Sequence, residues 1–161
     1  MSQLKVYKIN TLIDWSYKGS IDDIEEVMLG VNKFFRPYGI KFNLEEYMRS
    51  GFIAKDSTMS SSLDNFCNCN AEKFDLTLGI TGTHKGKKIG MAYKSSFGTK
   101  YSCAVVDLNT NKEKAVCVLI HEILHTLGLP HSDDSNNIMH SITTKTNTNK
   151  EQDIVIQQYA N

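Results

Sequence analysis

A chain of 161 residues, 40% hydrophobic and 22% charged, suits one globular domain with its own core. Eighteen basic residues against eighteen acidic ones leave no formal net charge, which argues against nucleic acid or an anionic membrane surface as the main partner. No stretch approaches the roughly 18 consecutive apolar residues of a membrane span, and two prolines with ten glycines exclude a collagen-like chain.

The start, Met1-Ser2-Gln3-Leu4-Lys5-Val6, lacks the basic and then apolar pattern of an export signal. The expectation is therefore a cytoplasmic protein by default, with a secreted mature form as the alternative. The four cysteines, Cys67, Cys69, Cys103 and Cys117, do not have the Cys-x-x-Cys spacing of a zinc or redox motif. Free thiols are the plain expectation, with at least one bridge, or a metal or regulatory role, as the alternatives.

Leu4 to Leu12 alternates like a strand. Ser20 and Asp23 have capping-box spacing ahead of a helical series, Ile21, Ile24, Val27, Met28, Val31, Phe34 and Phe35, which Pro37 and Gly39 end. Ile40, Phe42 and Leu44 read as a second strand. Residues 51–72 read as an insertion or long loop with a serine-rich centre. Phe74, Leu76, Leu78 and Ile80 form a third strand, residues 82–88 a loop, Ile89–Tyr93 a short fourth strand and Tyr101–Leu108 a fifth. Thr110 and Glu113 then resemble a capping box for a helix that is apolar around most of its circumference through Leu127, and so expected to be buried. Thr148 and Glu151 repeat that spacing before a last helix carrying Ile154, Val155, Gln158 and Tyr159. Strand, helix, further strands and two helices imply an α/β or α+β layer architecture.

Chemistry concentrates where the buried helix ends, in His121-Glu122-Ile123-Leu124-His125-Thr126-Leu127-Gly128-Leu129-Pro130-His131. At about 100° per residue, His121 and His125 lie about 40° apart and one turn from each other, so two imidazoles can grip one metal ion. Gly128 tolerates positive φ and allows the chain to turn back, returning His131 as a third ligand. Three protein ligands leave a position open, as in catalytic zinc sites. Glu122 has the placement of a general base that would take a proton from zinc-bound water.

These residues resemble the metzincin zinc endopeptidases, whose signature is His-Glu-x-x-His-x-x-Gly-x-x-His followed by a methionine-containing turn. Met139 in Asn136-Asn137-Ile138-Met139-His140 is similar to that Met-turn methionine. Ser132 after the third histidine, and the spacing to Met139, resemble matrixins. Ser141 stands where astacin- and serralysin-type members carry a tyrosine ligand. Ile89-Gly90-Met91-Ala92-Tyr93 is also similar to the edge strand of reprolysin-like members.

The resemblance implies a twisted five-stranded mixed sheet with one antiparallel edge strand, a buried active-site helix, a Met-turn and a C-terminal helix. It implies one catalytic domain over 1–161, with the sheet and helices in 1–128 and a short C-terminal part in 129–161. It also implies a zinc-dependent endopeptidase that holds one catalytic zinc through His121, His125 and His131. The expected molecule is monomeric and acts on peptide or protein substrates. A substrate would pair with the edge strand near Met91 and Ala92, and His140, Ser141 and Ile142 would wall its specificity pocket.

His84 is expected to be a solvated loop residue because Gly86 breaks the pattern of a second zinc site. Calcium is left open, since Asp107, Asp133 and Asp134 form no calcium-loop pattern. Two other readings compete: a zinc-holding binding module without turnover, and a zinc hydrolase of a non-peptide amide.

Overall fold

A computed structural model of the chain describes residues 3–51, 63–64, 74–82, 89–141 and 144–161. Its elements are β1 (Lys5–Asp14), α1 (Ile21–Phe35), β2 (Ile40–Ser50), β3 (Leu76–Thr81), β4 (Gly90–Ala92), β5 (Cys103–Asp107), α2 (Lys112–Thr126) and α3 (Lys150–Gln158). The described strands form one sheet in the order β2-β1-β3-β5-β4. Its pairs are parallel except β4 with β5, so β4 is an antiparallel edge. The mixed α/β architecture and the single antiparallel edge strand match the expectation.

Local chemistry sets the helix starts. The Ser20 hydroxyl accepts from the Asp23 amide while the Asp23 carboxylate accepts from the Ser20 amide, completing the expected capping box of α1. The other two caps fall one residue later than expected. Asn111, not Thr110, caps α2 by accepting from the Lys114 amide at 2.9 Å. Asn149 and Gln152, not Thr148 and Glu151, form the box of α3. Thr148 instead donates to the Asp153 carboxylate at 2.6 Å. An asparagine accepts these orphan amides as well as a threonine does.

Strand β2 runs six residues beyond the expected Leu44. Its pairing with β1 steps from Ile9–Leu44 to Asn10–Glu46, so Glu45 is an extra residue and the ladder resumes to Ser50. As the edge opposite β4, this half of β2 tolerates charged residues, which hide a strand from a reading based on apolar alternation.

Helices α1 and α2 cover one face of the sheet over the main core, which includes Ile9, Val31, Phe35, Leu78, Ile120 and Ile123. On the other face Leu63 packs with Leu12, Cys103 and Val105. Both faces are therefore covered, and β3 is buried at every residue, its threonines included. Cys103 is disulfide-bonded, with its partner outside the described residues, while Cys117 is a buried free thiol. This corrects the expectation of free thiols throughout. Leu63, within the expected 51–72 insertion, belongs to that second layer.

Helix α3 is anchored by polar groups more than by its apolar residues. Ile154 is 62% exposed, while Gln152 and Ile156 are buried. The Tyr38 hydroxyl donates to Asp153 at 2.6 Å, and burial with that bond pushes the phenol up to about 12. No helix among the described residues is long and apolar enough to cross a membrane.

Candidate metal centre and cleft

The three motif histidines converge. One ring nitrogen from each of His121, His125 and His131 lies within 4.8 Å of the other two. The Nε2 atoms of His125 and His131 are 3.1 Å apart. Two backbone carbonyls aim the rings: Ile138 O is 2.9 Å from His121 Nδ1, and Leu129 O is 2.8 Å from His125 Nδ1. With Nδ1 donating to a carbonyl, Nε2 keeps its lone pair for a metal. Burial lowers the pKa of His121 and, with nearby positive charge, lowers that of His125 to about 4. Both rings are therefore neutral, the ligating form, near pH 7. About 2.0–2.1 Å from each nitrogen is the zinc–imidazole distance, and this donor set fits one zinc ion.

The turn that returns His131 is a Schellman cap. The Gly128 amide donates to His125 O at 3.0 Å and the Leu129 amide to Leu124 O at 3.1 Å. Gly128 takes φ +103°, which an L side chain resists. This closure also positions Leu129 O on the His125 ring, so one glycine supports two of the three ligands. On the far side, Asn137 and Gln152 exchange two amide hydrogen bonds of 2.8 and 2.9 Å, both side chains being buried. Asn137 Oδ1 also accepts from the Met139 amide at 2.9 Å. The segment that supplies Ile138 O is thereby pinned to α3, and Met139 is completely buried in the main core.

Glu122 is 5% exposed, and its Oε1 lies 3.9 Å from His121 Nε2. Edge strand β4 crosses directly over it. A Cβ built on Gly90 would come within 2.7 Å of Glu122 Cγ and 3.0 Å of Val118 Cγ1. After β4 the chain stays on the helix, with the Ser95 amide donating to His125 O at 3.0 Å and Phe97 to Thr126 O at 3.1 Å. Helix, edge strand and centre are thus one unit.

A cleft of about 470 Å³ opens over this centre. Met91 and Ala92 line it from the edge strand, and His140 and Ser141 from the loop after Met139. Ile142 lies outside the described residues, as does His84. Lys94, Lys114, Cys117 and Val118 also line the cleft and were missed from the sequence. The seven-residue step from Lys114 to His121, and the four- and three-residue steps between them, could have shown Lys114, Cys117 and Val118 on the ligand-bearing face of α2. Asp107 accepts from the Asn109 amide and Asp134 from the Asn136 amide, each two residues on, so both serve local turns. A smaller cavity of about 250 Å³, near Tyr17 and Lys112, brings no such donor cluster together among the described residues.

A family model described as Matrixin matches residues 39–158. No curated protein sequence matches the chain. Among solved structures, the crystal structure of archaemetzincin from Methanopyrus kandleri is similar, with TM-score 0.70, 19% sequence identity and 95% of each chain covered.

Proposed function

Because the chain belongs to the matrixin family, we propose that it is a zinc-dependent endopeptidase in which Glu122 moves the protons of peptide hydrolysis. The observation that carries this reading is the buried Glu122 carboxylate beside three imidazoles whose ring nitrogens converge. His121, His125 and His131 hold the zinc, which when bound supplies Lewis acidity to a peptide carbonyl and to water. Glu122 accepts the proton of the attacking water at its carboxylate and returns it to the departing amine. Gly90 and Val118 restrict where that carboxylate can stand. Among the described strands β4 is the sheet edge, which supplies backbone partners for a substrate strand, with Met91 and Ala92 lining the cleft. His140 and Ser141 wall the neighbouring pocket. The disulfide at Cys103 supports an oxidising compartment for this chain, the alternative to the cytoplasm.

Incubation with casein and a mixed peptide library tests this directly. Internal cleavage that a chelator stops and added zinc restores is the expected result. Absence of zinc-dependent cleavage across the library would defeat the peptidase reading.

A further inference from the structure

The cleft carries a charge that the chain as a whole does not. Basic and acidic residues balance over 161 positions. Among the described residues lining the cleft, however, Lys94 and Lys114 are cationic and Glu122 is the sole carboxylate. Neither lysine ammonium has an ion-pair partner among the described residues. Lys94 is exposed and Lys114 is half-buried, so both can meet a solute. A bound zinc ion would add further positive charge between them.

The two lysines stand at opposite ends. Lys114 precedes His121 by seven residues on α2, which places it within about 20° of the same helix face and about 10 Å along the axis toward the helix start. Strand β4 runs in the same sense as α2, with Gly90 against Val118 and Glu122, and the chain reaching His125 O at Ser95. Lys94 therefore lies beyond the centre, toward the helix end. A peptide laid along β4, the edge among the described strands, passes one lysine, then the three-histidine centre, then the other. At about 3.3 Å per extended residue, each lysine lies within about three residues of the bond held at the centre.

We propose that the cleft selects peptide segments carrying an acidic side chain on each side of the bond to be cut, one facing Lys94 and the other Lys114. The inference rests on the peptidase reading and adds the substrate class. Exposed pairs of this kind favour glutamate over glutamine by up to about fivefold per position, and a substrate lysine in the same place adds repulsion. The preference weakens at high ionic strength, because the lysines face solvent.

The test uses ten-residue peptides identical except at the second and third residues on either side of the centre, which are Glu, Gln or Lys. Binding is measured by fluorescence anisotropy on the zinc-loaded Glu122→Gln chain, and cleavage by mass spectrometry on the parent. Expected are tighter binding and faster cleavage of the Glu peptide, by tenfold or more over the Lys peptide. Lys94→Glu should reverse the preference on one side of the scissile bond and Lys114→Glu on the other, both variants keeping zinc and a parent-like melting point. Equal binding of the three peptides, binding of none, or profiles unchanged by both reversals would overturn the proposal. Charge-selective binding without cleavage would leave it standing and remove the peptidase reading. Cleavage without charge preference would do the reverse.

Discussion

Replacing Gly90 with alanine tests whether the edge strand positions Glu122. The added Cβ would sit 2.7 Å from Glu122 Cγ, where ordinary contact begins at 3.4 Å, a shortfall of 0.7 Å. Val118 Cγ1 at 3.0 Å and Glu122 Cδ at 3.1 Å close two further directions. Strand β4 is short and paired to β5 on its other side, so the glutamate side chain yields more readily than the backbone. Overpacking of this kind costs about 1–3 kcal/mol. A misplacement approaching 1 Å costs catalysis on the order of 10- to 100-fold. The three histidines are untouched, so zinc stays bound. The variant is therefore expected to keep its metal, lose about 1–3 kcal/mol of stability and lose most of its kcat/KM. Zinc content, a thermal melt and kcat/KM on one good peptide substrate measure all three. Cleavage within twofold of the parent, at full zinc occupancy, would refute the idea that close approach of β4 holds Glu122.

Gly128→Ala forces an L side chain to φ +103°, with its Cβ 3.2 Å from Ser95 Oγ; a loss of about 1–2 kcal/mol in urea unfolding is expected, together with weaker zinc retention against a chelator, because the turn positions His131. Gln152→Ala leaves the buried Asn137 amide without its two Gln152 hydrogen bonds; about 1–3 kcal/mol of stability should be lost, and zinc affinity should fall because Ile138 O loses its support. Cys103→Ser should cost about 2–5 kcal/mol under oxidising conditions, and adding a reductant should then change its unfolding midpoint much less than it changes the parent's.

The metal centre was legible because its ligands are close in sequence. A four-residue helical step and one glycine turn bring three histidines together, and no long-range contact is needed to see that. The order of the main strands was legible for a similar reason, since Leu76 to Ile80 and Ile40 to Leu44 announce themselves by alternation. What failed depended on partners far along the chain. The second half of β2 is polar and is a strand only because β1 lies beside it. The face that α3 buries is set by the Asn137–Gln152 amide pair and by Tyr38, partners on other elements, so Gln152 is buried while Ile154 faces solvent. The helix caps moved by one residue because Thr110-Asn111 and Thr148-Asn149 each offer two good capping side chains in a row. The lysines of the cleft escaped notice because each looks like an ordinary surface charge until the strand and helix are set side by side.

The central claim is that Glu122 moves protons at a zinc centre it does not help to hold. Glu122→Gln keeps nearly the same shape and volume but cannot accept a proton. Zinc stoichiometry and peptide cleavage measured on the same purified variant test the claim most directly. The account predicts parent-like zinc content with cleavage reduced by about 100-fold or more. A variant that holds zinc and still cleaves at the parent rate would contradict it.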